Sequence, residues 1–245
     1  MQREQNNVVR LAHSHPLVSK LPKSIEDLFP LAKVDGEKRN FGLISLSLIL
    51  LGNGMTDEAH DLVTPLSWPE DTYFGFGPSA YSTVSPATQS YATYVHCLIH
   101  RREGSHYGEL GMRGWDNANY WSRAVLLSPG VKELPHKDWL HQLEKLLTKF
   151  SDSSDVQAWA KSHGFLNQNC LEKEEPYYES RAVHQLCAQA MSGANTGNTN
   201  KSLCEFAEQV AEMEVRVLLA HSLIRAGFEC SLEDILSAQS DAASS

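Results

Sequence analysis

Apolar positions along this 245-residue chain recur at helical spacing, and no stretch shows the strict alternation that marks a half-buried strand. The run at 41–51 reads as a buried helix closed by Gly52, Asn53 and Gly54. Thr56, Asp57 and Glu58 open a second helix through His60 to about Val63, with Pro65 as its stop. Ser85 and Pro86 open a long helix that runs to Glu103. Asp116 or Asn117 then caps a helix through Leu127, ended by Ser128, Pro129 and Gly130. Further helices are expected at 137–150, 154–163, 175–191 and 203–226, with short ones opened by Ser24 and Ser231. Between them lie a Pro-, Gly- and aromatic-rich loop at 67–86, long enough to cover a site, and a glycine-rich insert at 104–114. The stretch 192–200 reads as a flexible linker and 238–245 as a disordered tail. The pattern predicts one all-α domain over 1–237, built of stacked helical hairpins around a central buried helix at 86–103. Two fragments, 46–60 and 118–129, are weakly similar to tetratricopeptide hairpins, although no period of about 34 residues connects them.

The central helix carries the most informative pattern. At about 100° per residue, His100 falls about 40° from His96 and Glu103 about 20° to its other side. Two imidazoles and a carboxylate thus share one stripe, while Tyr91, Ala92, Tyr94, Val95, Cys97, Leu98 and Ile99 cover most of the remaining surface. A helix so apolar is buried, so its polar stripe faces an interior site. Three readings compete for it. His96 and His100, with Glu103 one turn on and His60 from a neighbouring helix, form a candidate metal set for zinc, iron or manganese. The same groups can work without a metal as general acid and base, with Arg101, Arg102 or Arg123 binding an anion and Tyr120 adding a phenol. Or the stripe is a buried hydrogen-bond network that only holds the fold.

Other residues read more plainly. Trp121 is expected as a core anchor, Cys97 as an inert core thiol, and His221 as a satisfied core histidine. Glu212, Glu214 and Arg216 read as a solvated helix face, and the aromatic run at 73–78 is too irregular for a phosphate-cradling loop.

Composition narrows the partners. A net charge of −9, from 21 basic and 30 acidic residues, argues against nucleic acid or an anionic membrane as the main partner. Five cysteines, odd in number and without a C-x-x-C pair, suit a reducing compartment, and the polar start of the chain lacks an apolar signal core. The expected setting is cytoplasmic and soluble, with a small molecule or a protein as partner.

The residues Tyr94, His96, His100, Arg101, Arg102 and Glu103, followed by Asn117, Ala118, Tyr120, Trp121 and Arg123, carry a resemblance over about 70 residues. They are similar to the signature His-x-x-x-His-Arg-x-Glu … Asn-Ala-x-Tyr-Trp-x-Arg of a group of small uncharacterised all-helical proteins. Ala59-His60 matches an upstream Ala-His of that group, and 214–224 resembles a later helix with a Glu before a long apolar stretch. The resemblance implies a helical fold and a shared site, and it assigns no reaction. Two function classes follow. One is a small-molecule enzyme using a His/Glu/Arg pocket for metal-assisted or acid/base chemistry. The other is a non-catalytic helical scaffold that binds a protein.

Overall fold

A computed structural model describes residues 36–67, 84–104, 114–166, 178–195 and 200–229, together with Ser231 and Glu233. Every regular element among them is helical, and no strand occurs. The chain runs α1 (Glu37–Gly52), α2 (Thr56–Ser67), α3 (Pro86–Glu103) and α4 (Gly114–Leu127). A 3-10 turn at Val131–Glu133 leads to α5 (His136–Lys149) and α6 (Ser154–Ser162), then α7 (Tyr178–Asn195) and α8 (Lys201–Ala226). The expected helix at 24, the covering role of the 67–86 loop, most of the 104–114 insert and the tail lie outside the described residues. Consecutive helices pack as hairpins, α1 on α2, α2 on α3, α3 on α4, α5 on α6 and α7 on α8.

Helix α3 is the hub, touching α1, α2, α4, α7 and α8. Its start is fixed by chemistry that the sequence advertises. Ser85 is the N-cap, its hydroxyl accepting the Thr88 N–H at 3.1 Å, and Pro86 takes the first helical position. Fourteen of its residues, from Ala87 to Arg101, are buried, so the helix has no solvent face before its last turn. Two glycines let neighbours close on it. A Cβ on Gly130 would sit 2.2 Å from the Pro86 carbonyl oxygen, so only glycine lets the turn after α4 lie on the first turn of α3. A Cβ on Gly114 would meet the His100 carbonyl at 2.7 Å. The chain thus re-enters tightly against the end of α3 and aims α4 back along it.

The apolar side chains form two clusters. Helices α1 to α4 supply Phe41, Leu48, Val63, Tyr91, Val95, Ile99 and Trp121 to the first. Helices α5 to α7 supply Trp139, Leu143, Trp159 and Leu186 to the second. Helix α8 belongs to both: Phe206, Val210 and Val217 join the second cluster, while Leu218, Leu219 and Leu223 join the first. Asn200 caps its start, accepting the Leu203 N–H at 3.1 Å, and Gly227 ends it with φ 95°, where a side chain would be strained.

Several expectations are corrected. Pro65 does not stop α2, which continues to Ser67. Proline there removes only the N–H that would have bonded the carbonyl of exposed Asp61, which water can serve. Asp116 and Asn117 lie inside the first turn of α4, which begins at Gly114, and neither is the N-cap. Helix α7 runs to Asn195, so the first four residues of the stretch read as a linker are helical. Glu214 and Arg216 are buried, not solvated, because α8 is wrapped by neighbours along its length. No described helix is long and apolar enough to cross a membrane.

Candidate metal centre

Helices α2 and α3 carry the same spacing. His60, Thr64 and Ser67 stand at i, i+4 and i+7 on α2; His96, His100 and Glu103 do so on α3. Each trio therefore lines one face, and the α2–α3 packing sets the two faces against each other. Ser47 of α1 anchors α2 at this level, its hydroxyl donating to the Ala59 carbonyl at 2.7 Å.

The three imidazoles meet. One nitrogen from each of His60, His96 and His100 lies within 4.8 Å of the other two. The closest approach joins His60 Nε2 and His96 Nε2 at 2.9 Å. Every Nδ1 has a partner outside the group. His60 Nδ1 meets Thr64 Oγ1 at 3.3 Å, His96 Nδ1 meets Ser67 Oγ at 2.8 Å, and His100 Nδ1 meets Glu103 Oε2 at 2.7 Å. Trp121 of α4 closes one side, its ring stacked on His96 with centroids 3.8 Å apart. His96 and His100 are buried and His60 half-buried. Burial, reinforced by the mutual repulsion of the imidazoles, pushes the His96 pKa well below its ordinary value and lowers that of His60. These two rings are neutral near pH 7, the form in which imidazole binds a metal.

The other residues singled out by sequence are dispersed. Glu103 is not a member of the nitrogen cluster; its carboxylate stands behind His100. Arg101 points about 140° around α3 from His96. There its Nη1 binds Glu214 Oε2, and its Nη2 donates to the Ser180 carbonyl at 3.1 Å. Tyr94 donates to the other Glu214 oxygen at 2.7 Å, which completes a buried network joining α3, α7 and α8. Arg102, Tyr120 and Arg123 are exposed, so the expected convergence of Arg123 on the histidines does not occur. The cause is helical phase: Ala118, Trp121, Ser122 and Val125 form the buried stripe of α4, and positions 120 and 123 fall off it. His221 meets Asp138 Oδ2 at 2.7 Å, in a contact between α8 and α5, and is not a member of the nitrogen cluster.

Sequence reasoning missed Thr64, Ser67, the ring stacking of Trp121 and the buried Glu214. It also missed His184 of α7, a buried ring against Trp115 whose pKa is lowered to about 4 by burial and by Arg101 and Arg181. The signal for Thr64 and Ser67 was present in the spacing from His60 and was cut off by reading Pro65 as a helix end. Cys97 is buried, and burial pushes its thiol up to about 11, as fits an inert core residue.

Comparison with protein-family models, with curated proteins and with solved structures finds no match to this chain.

Proposed function

We propose that this protein is a metal-dependent enzyme in which His60, His96 and His100 hold one divalent cation and present it to a small molecule. The observation that carries the reading is the convergence of three imidazole nitrogens from two helices within 4.8 Å, with the Nδ1 of each ring tied to a separate partner. Metal-ligating histidines characteristically have such outer partners, which fix the orientation of the ring. Two nitrogens bound to a tetrahedral zinc lie about 3.3 Å apart, from bond lengths of about 2.0–2.1 Å. The His60–His96 separation of 2.9 Å needs only a few tenths of an ångström of adjustment.

A divalent ion held by these imidazoles would keep its full charge and would supply Lewis-acid chemistry, lowering the pKa of a bound water towards neutrality. The reaction class this supports is metal-assisted hydrolysis or hydration. Glu103 then acts through His100, raising its basicity, as a positioning group and not as a ligand. Neither Arg101 nor Arg123 serves as an anion clamp in this scheme. The widely spaced cysteines support a cytoplasmic setting.

The test is elemental analysis of the purified protein beside a His96→Ala/His100→Ala variant, with far-UV circular dichroism on both. One equivalent of zinc, iron or manganese in the wild type, lost in a folded variant, is the expected result. A wild type that takes up no metal, with a variant that unfolds, transfers the histidines to the scaffold reading. That reading has its own support in the Tyr94–Arg101–Glu214 network, which joins three helices without any ligand.

A further inference from the structure

The hydroxyls behind the histidines can be followed proton by proton. Ser67 Oγ has one hydrogen and, among the described residues, two neighbours, the Thr64 carbonyl oxygen at 3.0 Å and His96 Nδ1 at 2.8 Å. A carbonyl oxygen can only accept. If the hydroxyl proton went to His96, the Ser67 and Thr64 oxygens would face each other across 3.0 Å with lone pairs only. Both contacts are satisfied together only when Ser67 donates to the carbonyl and accepts from a proton on His96 Nδ1. Thr64 repeats the arrangement: its Oγ1 donates to the His60 carbonyl at 2.7 Å and is left to accept from His60 Nδ1. On His100 the outer partner is a carboxylate, which accepts and cannot donate when ionised. Each of the three rings, in its neutral form, is thereby held as the tautomer with its proton on Nδ1 and its lone pair on Nε2.

The consequence is an arrangement that hydrogen bonding alone does not satisfy. With both rings in that form, the two Nε2 atoms at 2.9 Å direct lone pairs at each other. A cation between them turns that repulsion into coordination. We infer that Thr64 and Ser67 are positioning residues that set the histidine tautomers, so that His60, His96 and His100 present an all-Nε2, uncharged three-nitrogen cradle to a borderline-soft divalent ion of the zinc class. This rests on the metal reading above and adds the identity of the donor atoms, the residues that impose it and the preference among metals. Imidazole suits zinc, copper, nickel and iron, whereas magnesium, calcium and manganese favour oxygen ligands. Among the described residues the donor set holds no carboxylate, and such a set discriminates against the latter group.

A metal-free alternative is equally specific. If Ser67 donated to His96 Nδ1, His96 would carry its proton on Nε2 and donate it to His60 Nε2, closing a chain of ordinary hydrogen bonds. The two schemes place the His96 proton on opposite nitrogens. Long-range proton–nitrogen correlation spectra of the zinc-loaded, 15N-histidine-labelled full chain read that position directly. The expected result is protonated Nδ1 on all three rings. Ser67→Ala and Thr64→Val are expected to stay folded and to lose about 10- to 100-fold in zinc affinity by competitive chelation, with Thr64→Ser restoring it. Manganese should bind more weakly than zinc by a larger factor than any of these losses.

Zinc bound at wild-type affinity by Ser67→Ala and Thr64→Val, or an Nε2 proton on His96 in the zinc-loaded protein, overturns the positioning role and leaves the metal reading intact. A wild type that binds no zinc while His96 carries its proton on Nε2 overturns both and establishes the hydrogen-bonded chain.

Discussion

The two faces of α3 bury ionisable groups in opposite ways. On one, Arg101 meets Glu214 and the Ser180 carbonyl while Tyr94 donates to Glu214, so a full positive charge faces a full negative charge with further hydrogen bonds around both. Burial alone would discourage the Arg101 charge, and the adjoining carboxylate more than offsets it, which raises the guanidinium pKa. On the other face, His60 and His96 are driven towards neutrality, and among the described residues no carboxylate enters the nitrogen cluster. The first face is closed chemistry: each group is the other's ligand. The second leaves donor atoms aimed at a common point. Burial of polar groups is therefore no guide to function by itself; what separates the faces is whether the buried groups complete one another.

The strongest way to break the comparison is to open the closed face. Glu214→Ala leaves the Arg101 charge buried without its carboxylate and should destabilise the protein by about 3–5 kcal/mol in urea unfolding. Replacing the set together, as Arg101→Met, Glu214→Leu and Tyr94→Phe, should recover most of that loss, because an apolar set of similar volume needs no charge compensation. Zinc uptake should be unchanged in the combined variant. If it falls with the ion pair, the two faces are coupled and do not act independently.

Metal should sharpen the contrast from the other side. Zinc at about a hundredfold excess over its Kd should raise the unfolding free energy by about 2.7 kcal/mol through mass action. The gain should vanish in His96→Ala/His100→Ala and survive in the combined apolar variant. A comparable gain in the histidine variant would place the zinc elsewhere.

His184 supplies a case between the two. Its ring is buried against Trp115, near Arg101, Arg181 and Asp116, and its folded pKa of about 4 lies below the ordinary histidine value of 6.5. The unfolded chain therefore binds the proton first. Stability is unaffected above about pH 6.5 and falls as the pH drops from there towards 4, by about 2–3 kcal/mol at most. His184→Gln should flatten that part of the curve. Parallel wild-type and variant unfolding curves at pH 7 and 4.5 would show that the ring is free to charge in the folded protein.

The helical architecture was legible because its signals are local. Ser85-Pro86 before an apolar run announces α3, and the buried surround of His96 and His100 follows from that run alone. The pairing of His60 with that stripe was legible only as a guess, since it depends on how α2 lies on α3. Thr64 and Ser67 were hidden by one rule applied too firmly. Proline usually ends a helix, but near its C-terminus it removes a single bond, and the extra turn is what brings Ser67 to His96. Glu214 was misread for a different reason. Its helix is polar enough to look like a solvated face, and burial there comes from α3 and α7, whose positions no local pattern encodes. Arg123 failed on phase: adjacency in sequence to buried Trp121 places it on the opposite side of the helix.

That phase argument gives the smallest expected effect. Arg123 is exposed and lies outside the nitrogen cluster of His60, His96 and His100. An exposed side chain away from caps and networks changes stability by no more than about 0.5 kcal/mol. Arg123→Ala should therefore leave the unfolding midpoint and the zinc affinity where they are, while Trp121→Ala, one turn-face away, removes the ring stacked on His96 and should cost about 3–5 kcal/mol. The pair isolates what position on α4 contributes. If Arg123→Ala weakens zinc binding while the fold is intact, the guanidinium reaches the centre in solution by a rearrangement of α4, and the anion-clamp role expected from the sequence returns to it.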